Sequence, residues 1–293
     1  MSINGVWLPI VTPFIEGAVD YESYERLVSH YISKGISGLM PLGTTGECPV
    51  ITADEFERIL DATVRIAAGR VPVYAGVGGN HTDSVVEKLA LAERYAVDGI
   101  LSVCPYYNRP GQEGLYQHFM KLSEATDLPI IIYNIPYRTG VNLENGTLLR
   151  LSEAQNIVGV KDSCGNIGQS LELLAHKPTG FSVMTGEDIL YYTNLVNGGD
   201  GGILAAAHLD TETFVEIHGR IRENDHRQAL ALWRQVSARI PLLFEEPNPA
   251  PLKYCLKRQG LLTSCQTRLP ITEISASLAQ KLDKIKSPVA MPI

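Results

Sequence analysis

The sequence is poor in the features that mark a chain for nucleic acid, membrane, metal or disulfide chemistry. Lys and Arg number 25 against 32 Asp and Glu, a formal net charge of -7. A partner gripped through its phosphates needs clustered cations, and no basic stripe is present, so nucleic acid is excluded as the principal ligand. No run of about 18 apolar residues occurs, and Met1-Ser2-Ile3-Asn4-Gly5 does not open a basic and then apolar leader. We therefore expect no membrane association and a cytoplasmic location. The cysteines Cys48, Cys104, Cys164, Cys255 and Cys265 are odd in number and never spaced as CxxC, the usage of free thiols in a reducing compartment. The seven histidines form neither an HExxH pair nor a Cys/His cluster, so no metal is expected. A serine nucleophile elbow is missing too. Gly43-Thr44-Thr45-Gly46-Glu47 lacks the Gly-Lys-Ser/Thr ending of a phosphate loop. Gly76-Val77-Gly78-Gly79-Asn80-His81 has His81 where a dinucleotide fingerprint has its third glycine. No cofactor is implied.

What is present is a globular composition, 45% hydrophobic and 19% charged, with short apolar strands alternating with helices. Strands are expected over 6–11, 38–42, 71–76, 99–103, 128–134, 157–161, 181–185 and 202–206. Helices fall between them, at 21–34, from Thr52 on, 82–95, 112–125 and 143–151. Thr52 with Glu55 three residues on has the spacing of a capping box. A repeat of roughly 25 to 30 residues implies right-handed βαβ units and a parallel sheet. Eight units predict an α/β fold of the closed (β/α)8 TIM barrel type. After the eighth strand only helices follow, at 211–223, 225–244, 251–259 and 273–285. The expected division is a barrel at 1–224 and a C-terminal helical appendage at 225–293, with Glu246-Pro247-Asn248-Pro249-Ala250-Pro251 as a hinge.

In such a barrel the residues just after each strand meet on one rim, where barrel enzymes keep their sites. The sixth strand, Ile157-Val158-Gly159-Val160-Lys161-Asp162, ends on a lysine. Burial disfavours the ammonium form, and holding a lysine of ordinary pKa about 10.4 neutral at pH 7 requires about 4.6 kcal/mol. A neutral amine at that position can form a Schiff base with a carbonyl substrate. The alternative is a lysine that has cleared the sheet and pairs with Asp162 or reaches water. The Gly43 to Glu47 loop offers hydroxyls and backbone N–H groups before a helix, suited to a small anion or serving as a plain entry turn. Tyr106, Tyr107 and Tyr133 are walls or, beside an amine, proton shuttles. Arg138 is a carboxylate clamp or a surface ion pair.

Gly43-Thr44-Thr45-Gly46-Glu47, Pro105-Tyr106-Tyr107-Asn108-Arg109-Pro110, Tyr133-Asn134-Ile135-Pro136, Arg138-Thr139-Gly140 and Gly159-Val160-Lys161 follow one another on strand ends. In this order they resemble the dihydrodipicolinate synthase and N-acetylneuraminate lyase superfamily, over about 5–270, and most nearly its 4-hydroxy-tetrahydrodipicolinate synthase branch. The resemblance implies that Lys161 condenses with pyruvate. Tyr133 then passes protons along a relay with Thr44 and Tyr107, and the enamine attacks L-aspartate 4-semialdehyde. It implies that Thr45, Gly186 and Ile203 line the pyruvate site with Thr44, and that Arg138 holds the semialdehyde carboxylate. It further implies that Tyr107 completes a neighbouring subunit's site in a homotetramer built as a dimer of dimers. The sister reading is another pyruvate-dependent class I aldolase or hydratase of the superfamily, for a sugar acid or related keto acid; its neuraminate lyases and sugar-acid aldolases generally lack an arginine at 138. Tyr137, where a small residue is usual, implies a crowded second-substrate pocket, and the stretch Gly202 to His208 lacks an asparagine common there. Ser84, Ala53 and Phe56 replace effector-site residues of regulated members and imply little inhibition by lysine.

Overall fold

The computed structural model describes residues 3–284 of the chain. Eight parallel strands form one sheet: β1 (Gly5–Leu8), β2 (Gly38–Leu39), β3 (Tyr74–Gly76), β4 (Gly99–Val103), β5 (Ile130–Asn134), β6 (Ile157–Asp162), β7 (Ser182–Thr185) and β8 (Gly201–Ile203). Their order is β2-β1-β8-β7-β6-β5-β4-β3, and a parallel bridge between Leu39 and Val73 joins the two ends into a (β/α)8 barrel.

Both faces of these strands are covered, which is why they read as continuous apolar runs such as Ile130-Ile131-Ile132. One set of side chains packs under the helices, and the alternate set fills the lumen with Trp7, Met40, Tyr74, Leu101, Ile131 and Met184. Two lumen aromatics need space from the next strand. A Cβ on Gly38 would lie 2.4 Å from the Trp7 indole, and one on Gly99 would lie 2.4 Å from the Tyr74 ring. Trp7 and Tyr74 then meet edge to face, with centroids 5.0 Å apart.

The helices around the sheet include α1 (Tyr21–Ser33), α2 (Ala53–Ala67), α3 (Thr82–Glu93), α4 (Gln112–Glu124), α5 (Pro136–Thr139), α6 (Asn145–Leu151) and α7 (Ile167–His176). After them come α8 (Tyr191–Val196), α9 (Thr211–Arg222), α10 (His226–Ser237), α11 (Ala250–Arg258) and α12 (Ala276–Asp283). The Thr52 and Glu55 capping box opens α2 as expected, with both reciprocal bonds formed. The expected end of the last helix, Ile285, lies outside the described residues.

Several boundaries differ from the sequence reading, each for a local reason. β1 stops at Leu8 and β2 at Leu39 because Pro9 and Pro41 carry no N–H for the ladder, and the chain bends away towards the rim. The expected 225–244 helix ends at Ser237 and resumes as a 3-10 turn over Ile240–Phe244, where Pro241 cannot continue an α-helix. A small antiparallel hairpin, Phe14–Ile15 against Ala18–Val19, was not foreseen. Its turn residues Glu16 and Gly17 have φ of 50° and 80°, the positive pair that a tight two-residue hairpin requires. The segment read as a hinge is packed instead: Asn248, Pro249 and Ala250 are buried, and Asn248 Nδ2 donates to Thr45 Oγ1 at 3.0 Å. Among the described residues no helix is long and apolar enough to cross a membrane, and no group of three or more His, Cys, Asp or Glu is placed to hold a metal. The five cysteines are unpaired.

Candidate active site

Strand periodicity decides which way Lys161 points. On β6, Lys161 and Asp162 face opposite sides of the sheet. Asp162 is engaged outside the lumen, accepting from the Cys164 N–H at 3.0 Å and from Ser170 Oγ at 2.5 Å. Lys161 turns inwards with 5% of its surface exposed and makes no ion pair among the described residues. The reading of Lys161 as a partner of Asp162 or a side chain reaching water therefore does not describe this chain.

The next strand supplies the neighbour. β5 and β6 place Tyr133 opposite Lys161 in the ladder, and Lys161 Nζ sits 4.1 Å from the centroid of the Tyr133 ring. Burial pushes the Lys161 amine well below the ordinary lysine range. The Asp188 and Glu187 carboxylates pull it back up, and the Arg138 guanidinium pushes it down further. Burial raises Asp188, although the Ala206 N–H donates to its Oδ2 at 2.5 Å and Lys161 lies near. The cavity thus disfavours ammonium and carboxylate together, which favours a neutral amine. Burial likewise holds the Tyr133 phenol protonated, with the Thr44 and Ser163 hydroxyls alongside it easing ionisation.

The loop after β2 brings the hydroxyls. The Gly46 and Glu47 N–H groups donate within the loop, to Gly43 O at 3.1 Å and Thr44 O at 3.0 Å. The N–H groups of Thr44 and Thr45 have no acceptor among the described residues, as an anion cradle requires. The loop is pinned from behind. Thr12 Oγ1 donates to Gly46 O at 2.8 Å, and the buried Glu47 accepts from Lys253 Nζ of α11 at 2.5 Å and from the Arg268 N–H at 3.0 Å.

Gly186 follows β7 where no side chain fits: a Cβ there would lie 2.6 Å from Lys161 Cε and 2.3 Å from Ser163 Oγ. Lys161, Tyr133, Thr44, Thr45, Gly186 and Ile203 line a single cavity, and Arg138 stands at its mouth. Arg138 lies on α5 without an ion pair among the described residues, 5.6 Å from the Tyr137 ring centroid. Beyond it opens a cavity of about 590 Å³ bounded by Tyr137, Arg138, Glu187, Phe244 and Asn248. Tyr137 is exposed and flanks this outer space.

Tyr107 is not brought to the cavity within its own chain. It is 89% exposed, and its φ of 74° is a costly conformation for an aromatic residue, held by its N–H bond to Thr139 O at 3.4 Å. In the segment compared with an effector site, Ser84 Oγ is bonded to His81 Nδ1 at 2.8 Å. Sequence reasoning gave no role to Ser163, Glu187, Asp188, Phe244 or Asn248. Ser163 and Glu187 adjoin residues it did single out and Asp188 follows Glu187, so their place on strand ends was the available signal. Phe244 and Asn248 arrive from the C-terminal region, and no spacing announces them.

The model of the dihydrodipicolinate synthetase family matches residues 2–288. The chain is 52% identical over 284 residues to 4-hydroxy-tetrahydrodipicolinate synthase 2 of Clostridium acetobutylicum, covering 97% of this chain and 99% of that one. It is 40% identical over 289 residues to 4-hydroxy-tetrahydrodipicolinate synthase 1 of Halalkalibacterium halodurans, covering 98% of each. The dihydrodipicolinate synthase of Acinetobacter baumannii, solved in complex with pyruvate, superposes with a TM-score of 0.93 at 36% identity, over 96% of this chain and 97% of that one. With a lysine in the lumen of the barrel, a phenol beside it and a full-length match, the chain belongs to the dihydrodipicolinate synthetase family.

Proposed function

We propose that the chain is a Schiff-base-forming lyase that condenses pyruvate with L-aspartate 4-semialdehyde to 4-hydroxy-tetrahydrodipicolinate, the entry to lysine and diaminopimelate biosynthesis. The observation that carries this reading is the buried Lys161 amine, depressed by desolvation and 4.1 Å from the Tyr133 ring. Its lone pair attacks the ketone of pyruvate, and the carbinolamine loses water once a proton from Tyr133 reaches the leaving oxygen. The iminium draws electrons from the methyl carbon, which gives up a proton to form the enamine. The enamine carbon bonds to the aldehyde carbon of the semialdehyde, and ring closure by the amino group frees Lys161. Thr44 and Thr45 receive the pyruvate carboxylate through their unengaged N–H groups, and Gly186 and Ile203 shape its apolar side. Arg138 holds the second carboxylate, for which its having no ion pair among the described residues leaves it available. We assign the catalytic unit to the barrel, 1–224, and a C-terminal helical region from 225 on that contributes Phe244 and Asn248 to the lining of the outer cavity.

Tyr107, exposed in a single chain, fits a role in a neighbouring subunit's site within a dimer of dimers. The five unpaired cysteines fit a reducing cytoplasm. Steady-state turnover of pyruvate with L-aspartate 4-semialdehyde, compared with cleavage of sugar-acid substrates, tests the assignment. We expect the semialdehyde to be preferred, with Arg138→Ala raising its KM while pyruvate binding is largely kept. Preference for a sugar acid contradicts the reading.

A further inference from the structure

Two buried polar atoms at the site have no hydrogen-bond partner among the described residues. Ser163, the residue after β6, is fully buried, and its Oγ makes no hydrogen bond among the described residues. The same holds for the buried Oε1 of Glu187, just after β7. Natural folds seldom leave such groups unmet, because a buried hydroxyl or carboxylate without a partner forfeits its hydration.

Their positions are related. The Ser163 hydroxyl lies against the Tyr133 phenol on one side and the Glu187 carboxylate on the other, without a fully formed bond to either. Gly186 keeps this contact open, since a side chain there would drive into both Ser163 Oγ and Lys161 Cε. Ser163 thus adjoins both Tyr133, beside the amine, and Glu187, a half-buried carboxylate that borders the outer cavity.

We infer that Ser163 and Glu187 form a proton branch that serves Tyr133 from within one chain, separate from the hydroxyls of Thr44 and Tyr107. The inference rests on the Schiff-base reading above. When the carbinolamine dehydrates, Tyr133 gives its proton to the departing oxygen, Ser163 refills Tyr133, and protonated Glu187 refills Ser163. The C–O bond breaks, water leaves, and the nitrogen lone pair becomes the C=N bond. The carboxyl ends as carboxylate, balancing the new iminium charge. When the methyl proton later leaves to form the enamine, it returns along the same groups, and Glu187 is protonated again. Burial raises Glu187 above the ordinary glutamate range, which suits a group that must hold a proton part of the time. The charged and titratable groups facing it are Lys161 and Asp162 from β6, Arg138 and Tyr137 from α5, and Asp188 beside it. Ser163 and Glu187 act through Tyr133 and are positioning residues in the reaction.

The test follows exchange of the pyruvate methyl protons in deuterated water by NMR, which reports imine and enamine formation without the aldehyde. Ser163→Ala and Glu187→Gln are each expected to slow exchange by at least about tenfold, the lower end of what a general acid–base group contributes. Because the two lie in series, the double variant is expected to be no slower than the slower single one. Glu187→Gln should also lose the limb of the pH profile set by that carboxylate. Losses that multiply in the double variant, single variants that exchange at the normal rate, or a pH profile unchanged in Glu187→Gln overturn the branch. Borohydride trapping of pyruvate on Lys161 separates the two readings. An adduct in the full enzyme together with multiplying losses removes only the branch, whereas no adduct removes the Schiff base itself.

Discussion

A lysine amine in the lumen of a barrel is pulled in two directions, and the neighbouring charges set the balance. Burial lowers Lys161, Asp188 and Glu187 oppose it, and Arg138 assists it. Activity that needs the free amine therefore falls as pH drops through the native pKa of Lys161. Asp188→Asn removes an anion that favours the ammonium form, so the acid limb of pyruvate adduct formation should move to lower pH. A limb that moves upwards contradicts the assignment. The same depression bears on stability. Between the free-lysine pKa of about 10.4 and the lower native value, the unfolded chain binds a proton that the native chain does not. Stability from this group is thus full above the unfolded value and declines as pH falls towards the native one. Lys161 itself was legible in the sequence because an ionisable residue directly after the uncharged strand residues Ile157-Val158-Gly159-Val160 is conspicuous. Its orientation was not, since Asp162 next to it was an equally available partner until the fold turned the two apart.

At the scale of elements, α11 holds the loop carrying Thr44 and Thr45 from behind. Lys253 and Glu47 are a fully buried ion pair, with side-chain exposures of 0% and 1%. Burial pushes Lys253 down to about 8 against the pull of Glu47. Removing one partner strands a buried charge, at a typical loss of about 3–5 kcal/mol. We expect Lys253→Ala to lower the thermal midpoint strongly and to raise the KM for pyruvate by loosening the Thr44 and Thr45 cradle. Replacing both partners together with apolar residues should restore much of the stability, as measured by thermal unfolding. A Lys253→Ala protein as stable as the original contradicts this account of the loop. The elements were the most readable part of the chain, because strand and helix periods are local and the Thr52 and Glu55 cap is written in four residues. What escaped was non-local. Asn248 reaches Thr45 across a separation of 203 residues, and nothing near either residue signals the contact.

For the whole molecule, the exposed Tyr107 and the enclosed Lys161 pose one question of assembly. If Tyr107 serves the site of a neighbour, a subunit carrying Tyr107→Phe and one carrying Lys161→Ala are each impaired, and a mixed pair rebuilds one complete site. Refolding or exchanging the two variants together should regain part of the activity that each lacks. No recovery, with mixed assemblies demonstrated by mass, contradicts a shared site. Eight repeating units made the barrel legible at this scale, because strand ends gather on one rim whatever the loops contain. The contribution of the C-terminal helices was not, since their contacts depend on how the chain folds back over that rim.

The proposed chemistry depends on a nucleophilic Lys161 amine within reach of a bound 2-oxo acid. Incubation of the full-length protein with pyruvate and borohydride, followed by peptide mass spectrometry, reads that amine out. One reduced pyruvyl adduct is expected on Lys161 and none in Lys161→Ala. An adduct on another lysine, or no adduct at saturating pyruvate, contradicts it.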